Sequence, residues 1–222
     1  GEAAFHDCSS LTSIIIPNNV RNIGESVFYN CSSLKSVIIP NNVTNIGDSA
    51  FYNCSSITSC TIGNRVKSIG VKAFYNCSNL NSITFPNSVE TIDNGAFEGC
   101  TSLKVIEIGR NLKSIDDFAF YYYWRNIVEE ITVRATTPPN LGTTVFQTNS
   151  DIIAKVPCSK LKTYQQDSDW KNFKLEGFGG DCSCTAVPYE ITCKEASEIA
   201  YFLPSTTHTD EPYTVIGYVT DI

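Results

Sequence analysis

The stretch Leu34-Lys35-Ser36-Val37-Ile38-Ile39-Pro40, with Ala50-Phe51-Tyr52-Asn53-Cys54 shortly beyond it, decides the architecture because both parts return at a fixed interval. Phe5, Phe28, Phe51, Phe74, Phe97 and Phe120 stand 23 residues apart, and Cys8, Cys31, Cys54, Cys77 and Cys100 keep that interval three positions later. Each unit reads approximately A-F-x-x-C-S-x-L-x-S-I-x-I-P-x-x-V-x-x-I-G. In a short strand alternate side chains point to opposite faces, so Leu34, Val37 and Ile39 are expected inward and Ser36 and Ile38 outward. Val43 and Ile46 form a second inward ridge. Gly24, Gly47 and Gly70 follow that ridge, at what is expected to be a corner with positive φ. One unit cannot cover its own apolar face. Stacked units can, with parallel strands about 4.8 Å apart and one Phe contributed per rung.

A period in the twenties with L-x-x-I-x-I inside it is the sign of a leucine-rich repeat. The pattern resembles the BspA-like leucine-rich-repeat family of bacterial surface proteins over residues 3–173. The predicted fold is therefore a repeat solenoid, mainly β with short helical or irregular convex segments, forming a right-handed array of 23-residue units over residues 1–176. Thr137-Pro138-Pro139, Phe146, Val156-Pro157, Tyr164, Trp170 and Phe173 resemble the family's terminal cap, placed at residues 140–176. Physics points the same way: the last coil exposes an apolar cross-section, and Tyr164, Trp170 and Phe173 on a short helix would cover it. The sixth unit departs from the pattern. Tyr121-Tyr122-Tyr123-Trp124 replaces its Cys and adds two residues, which predicts a bulge or a local surface specialisation.

Hydrophobic content of 42% across 222 residues suffices for a sizeable core. No run approaches the length of a membrane-spanning helix, no secretory leader opens the chain, and Met is absent, so a processed product is expected. The net charge of −7 is uneven: seven acidic residues face only Lys194 after residue 180, leaving −6 there and −1 elsewhere. A near-neutral body without a basic stripe argues against nucleic acid and against acidic lipid. After Phe173 the period stops, and Gly177-Phe178-Gly179-Gly180 reads as a linker. Thr192-x-x-Glu195 is a capping box ahead of Ala196, Ile199, Ala200 and Leu203, Pro204 breaks that helix, and residues 213–222 alternate like a strand. With Glu195-Ala196 and Gly217-Tyr218-Val219, residues 177–222 resemble an incomplete OB-like module, a small α+β segment.

The periodic cysteines are expected to form a column of buried thiols, because in-register parallel side chains rarely meet disulfide geometry. Cys60 takes an inward position and is expected in the core. Outside the repeat, Cys182 or Cys184 is expected to pair with Cys193. His6 and His208 stand alone, so no metal site or other cofactor is expected. Asn30-Cys31-Ser32, Asn53-Cys54-Ser55 and Asn76-Cys77-Ser78 match a glycosylation acceptor only because the repeat generates the match. Asp116-Asp117 and Glu129-Glu130 read as solvated charges, and with no nucleophile elbow or phosphate loop no catalytic activity is expected.

Function then falls to a surface. Outward strand positions form two columns on the expected concave face: Ser13, Ser36, Ser59, Ser82, Val105 and Glu130, and beside them Ile15, Ile38, Thr61, Thr84, Glu107 and Thr132. Small hydroxyl side chains make a smooth floor that suits an extended protein partner better than a metabolite. The same residues also simply favour strands. Tyr121, Tyr122, Tyr123 and Trp124 form a second candidate, as interface anchors, a platform for sugar rings, or packing against the cap. The resemblance implies an extracellular or cell-surface adhesion module that binds a host matrix or other partner protein. The alternatives are a glycan-binding accessory protein and a structural spacer.

Overall fold

The computed structural model describes residues 1–123, 128–147 and 149–180. It is a parallel β-solenoid of coils close to 23 residues long. Most coils place a short strand in one six-stranded sheet and a longer strand on the opposite side, where Ser36–Ile38 pairs with Ser59–Thr61 and the five strands from Ser82–Thr84 onward form a separate sheet. Short strands Asn22–Ile23, Asn45–Ile46, Ser68–Ile69, Thr91–Ile92, Ser114–Ile115 and Asn140–Leu141 form the six-stranded sheet, in parallel register. The longer strands Ser36–Ile38, Ser59–Thr61, Ser82–Thr84, Val105–Ile108, Glu130–Val133, Ile153–Pro157 and Lys174–Phe178 line the opposite side. We call their outward surface the strand face. Between the sheets, each A-F-x-x-C segment is a pair of turns and not a helix, and it too is tied from coil to coil: Phe28 N–H donates to the Ala50 carbonyl at 2.8 Å and Phe51 N–H to that of Ala73 at 2.7 Å. Among the described residues, helix is confined to Leu161–Gln166 and two single 3₁₀ turns after Pro157.

Leu34, Val37, Ile39, Val43 and Ile46 are all buried, and Val37 and Ile39 alternate with the exposed Ser36 and Ile38. The Phe column is a continuous stack. Ring centroids from Phe5 through Phe28, Phe51, Phe74 and Phe97 lie 5.0 to 5.2 Å apart with nearly parallel planes. The stack continues through Phe120 and Phe146, then ends edge-on against Phe173. In the cap, Tyr164 lies on Leu161–Gln166 and Trp170 on the 3₁₀ turn Trp170–Asn172, both fully buried. Their polar atoms are satisfied: Tyr164 Oη donates to the Ala135 carbonyl at 2.9 Å and Trp170 Nε1 to that of Pro139 at 2.7 Å. Phe5, at the other end of the stack, is 38% exposed.

The thiol column also forms, and hydrogen bonding explains why cysteine suits it. Cys31, Cys54, Cys77 and Cys100 each donate from Sγ to the carbonyl of the Phe one coil back, at 3.1 to 3.3 Å. A small apolar side chain thereby supplies a weak donor to a buried acceptor. Burial pushes Cys54 and Cys100 up to about 12 and Cys31 to about 11. Cys8, in the first coil, is exposed, and Cys60 is only partly buried at the edge of the core.

Three expectations need correction. The conserved-spacing glycines do not adopt positive φ; left-handed backbone sits instead at Ser26, Ser49 and Lys72 and at Asn30, Asn53 and Asn76. Gly47 is required by close approach: a β-carbon there would lie 2.9 Å from Glu25 N, Gly24 C and Ile23 O of the previous coil. The sixth unit gains more than two residues. Glu130 pairs with Val105, an offset of 25, whereas Asn140 pairs with Ser114, an offset of 26, so a third extra residue enters between Val133 and Asn140. Gly177 and Phe178 belong to no linker, since both extend the strand Lys174–Phe178 along Ile153–Pro157.

Candidate binding surface

Two side-chain columns cross the strand face because a parallel ladder keeps equivalent residues in register. Ser36 pairs with Ser59, Ile38 with Thr61, Ser82 with Val105, Thr84 with Glu107, and Glu130 with Val105 on its other side. Ser13 and Ile15 precede them, with Lys35 N–H donating to the Thr12 carbonyl at 3.2 Å to hold the first coil in step. The same register carries the columns onward through Ile153 and Lys155 to Lys174 and Glu176. Register thus groups Ser36, Ile38, Ser59 and Thr61 in one ladder and Ser82, Thr84, Val105, Glu107, Glu130 and Thr132 in another, and the two meet where Ser59, Thr61, Ser82 and Thr84 line one depression.

Its chemistry changes along its length. Ile15 is 90% exposed and Ile38 68%, so the first rungs present branched apolar side chains to water. Next comes a shallow depression of about 280 Å³ lined by Ser59, Thr61, Ser82, Thr84 and Pro86, with Cys60 and Ile62 beneath. Beyond it the charges largely neutralise one another. Lys155 Nζ lies 2.7 Å from Glu130 and Arg134 lies 3.7 Å from Glu107, while the Arg134 guanidinium also sits over the Phe178 ring. The Glu130 carboxylate raises the Lys155 ammonium above its ordinary range.

The aromatic insertion is less exposed than its composition suggests. Tyr121 and Tyr122 are half-buried, and Tyr123 alone, at 63%, is an exposed large side chain; Trp124 lies outside the described residues. Tyr121 packs edge-on against Phe118 and Tyr123, Tyr123 Oη donates to Glu98 Oε1 at 3.2 Å, and Gln147 Nε2 donates to the Tyr123 carbonyl at 3.1 Å, so the described tyrosines brace the fifth and sixth coils and touch the start of the cap. The Glu98 charge, and then the hydrogen bond to Glu98, raise the Tyr123 phenol.

Two features escaped the sequence reading. Cys158 is disulfide-bonded. Its spacing fits no motif and gave no signal; Cys182, Cys184 and Cys193 all lie outside the described residues, as do the capping box and the expected OB-like module. The second is an open groove of about 790 Å³ across the turns, lined by Asp7, Ser9 and their equivalents at each following coil as far as Tyr122. The recurrence of Asn and Ser on either side of each Cys was the visible signal for it.

Among the described residues, His, Cys, Asp and Glu side chains do not gather in threes as a metal site would need, and no helix is long and apolar enough to cross a membrane. Against known proteins, a model described as a BspA type leucine rich repeat region matches in six copies over residues 1–126 and 67–201. A search of curated proteins returned no match. Among solved structures, a leucine-rich repeat protein of T. pallidum, TpLRR, is 24% identical over 79% of this chain and 77% of its own, with a TM-score of 0.58. The pneumococcal vaccine antigen PcpA is 20% identical over 77% of this chain and 42% of its own, with the same TM-score of 0.58. A leucine-rich repeat protein from Bacteroides ovatus is 30% identical over 82% of this chain and 56% of its own, with a TM-score of 0.46. This chain thus spans little more than half of the Bacteroides protein and less than half of PcpA. The shared coil length, the Phe and Cys columns and the family match over most of the chain lead to one assignment: the chain belongs to the BspA-type leucine-rich-repeat family.

Proposed function

We propose that this chain is a non-enzymatic adhesion module, displayed outside the cell or at its surface, that binds a protein partner through the strand face. The observation that carries the proposal is the pair Ile15 and Ile38, exposed on successive rungs beside a floor of small hydroxyl residues. Exposed apolar side chains next to a depression of side-chain size favour a partner that supplies a bulky anchor and covers the isoleucines. The neutralised charges beyond Val105 favour a contact led by shape and apolar area over one led by charge steering. The disulfide at Cys158 supports an oxidising compartment. In this reading the solenoid through Phe178 is the binding unit and the residues after it a separate small module.

The test is a binding survey of the purified chain against host matrix and surface proteins, repeated with Thr84→Arg, which fills the depression, and with Ile38→Ser. Both positions are exposed, so folding is expected to survive. A partner that binds the wild type and is weakened about tenfold or more by each variant supports the strand face. A partner indifferent to both, or no partner at all, refutes it.

A further inference from the structure

We propose that the groove across the turns is a second binding site, and that its ligand is a neutral, linear oligosaccharide. The groove lies on a different side of each coil from the strand face, and the proposal stands independently of the one above. Its floor is a ladder of side chains in left-handed backbone, a conformation that Asn and Asp tolerate better than most residues. Asn30 Nδ2 donates to Asp7 Oδ1 at 2.8 Å, Asn53 Nδ2 to Asn30 Oδ1 at 3.0 Å, and Asn76 Nδ2 to Asn53 Oδ1 at 3.1 Å. At Gly99 the ladder stops, because a β-carbon there would collide with Asn76 Oδ1. Tyr122 stands at the next equivalent position and closes that end of the groove with an aromatic side chain.

The hydrogen bonds within the ladder use half of each carboxamide. A carboxamide has two N–H donors and two oxygen lone pairs, so each Asn between its neighbours keeps one donor and one acceptor. Ser32 and Ser55 add a hydroxyl per rung alongside. A row of groups that both donate and accept is matched by sugar hydroxyls, which do the same. Charge favours the same class: among the described residues that line the groove none is Lys or Arg and Asp7 is the single acid, so they offer an anionic chain no counter-charge. Spacing argues against an extended peptide. Rungs repeat about every 4.8 Å, whereas a strand-like peptide rises about 3.3 Å per residue, so its polar groups lose register within two or three rungs. The length of a pyranose ring in an extended chain is much closer to the rung spacing, and its apolar ring face can stack on Tyr122.

Calorimetric titration with neutral linear glucans and chito-oligosaccharides of graded length tests this directly. Affinity is expected to rise with chain length until the ligand spans the roughly 24 Å between Asp7 and Tyr122, then to level off. Ser55→Tyr, which plugs the groove, is expected to weaken binding at least about tenfold, and Tyr122→Ala to weaken only the longest ligands. Ile38→Ser, on the strand face, is expected to change nothing. Circular dichroism establishes that each variant is folded, and should Ser55→Tyr not fold, the length dependence and Tyr122→Ala decide. The proposal is overturned if no oligosaccharide binds, if affinity is independent of length, if folded Ser55→Tyr binds as the wild type does, or if an extended Gly-Ser peptide binds equally well.

Discussion

Replacing Phe74 by Ala removes the central rung of the aromatic stack. Phe74 is fully buried, with its ring 5.0 Å from Phe51 on one side and 5.0 Å from Phe97 on the other. Loss of a buried Phe costs about 3–5 kcal/mol through lost transfer and the cavity left behind. The two stacking contacts add about 0.5–1.5 kcal/mol each beyond area. Together they give a loss of about 4–8 kcal/mol, because the neighbouring coils cannot collapse into the gap without breaking the ladders on either side. Phe5→Ala is the internal comparison. Phe5 stacks on Phe28 alone and is 38% exposed, so about 1–2 kcal/mol is expected there. Urea unfolding followed by far-ultraviolet circular dichroism and by tryptophan fluorescence, in a Trp124→Phe background so that Trp170 alone reports on the cap, measures both. In a solenoid each coil contacts only its neighbours, so Phe74→Ala should also separate the two signals, the cap outlasting the coils before it. Equal losses for the two variants, or a loss under about 2 kcal/mol for Phe74→Ala with the transitions still coincident, would refute a continuous stacked core.

Gly70→Ala should destabilise the fold by about 1–3 kcal/mol, since the new β-carbon would meet Asp48 N and Gly47 C at 2.8 Å; a Gly position free of that contact would instead gain stability from the same change, so the sign of the shift in the urea midpoint decides. Maleimide labelling read by mass spectrometry at pH 8 should modify the exposed Cys8 rapidly and reach Cys54 and Cys100, pushed up to about 12 by burial, only through unfolding; fast labelling of either buried thiol would contradict the column. Glu90 lies between Lys67 at 2.8 Å and Lys113 at 2.6 Å, and hydrogen bonds from both ammonium groups, Lys113 first, hold its carboxyl down to about 2. A depressed carboxylate contributes stability above its ordinary value near 4.5 and loses it as pH falls towards 2, so Glu90→Gln should flatten the wild type's decline in melting temperature across that window; identical profiles would show that the bridge contributes nothing.

Much of the fold was legible because a repeat states its constraint many times. The inward pair Val37 and Ile39 follows from two-residue alternation and Leu34 from its return once per unit, while the cap at Tyr164, Trp170 and Phe173 follows from the need to cover an apolar end. Gly47 misled because glycine answers two demands, positive φ and absent β-carbon, that look alike in sequence; the coil beneath it decides which. Asn30 and Asn53 adopt the left-handed turns instead, and the same repeat that makes them match a glycosylation acceptor builds them into a ladder. The third inserted residue near Val133 was hidden because its unit has no second copy to align against. Cys158 gave no periodic signal, since its bond depends on tertiary approach and not on spacing. For the strand face, period and alternation predicted which residues share a surface; the neutralising pairs of Glu107 with Arg134 and Glu130 with Lys155 required knowing how neighbouring coils align.

The central claim is that the strand face is where a partner sits, and carboxyl footprinting of the complex tests it most directly. With a partner from the binding survey in place, carbodiimide labelling of Glu107, Glu130 and Glu176 on the strand face should fall. Labelling of Glu25, Asp48 and Glu90, which lie elsewhere on the coils, should stay unchanged. Protection of the second set with the first left fully reactive would place the partner elsewhere on the solenoid and contradict the account.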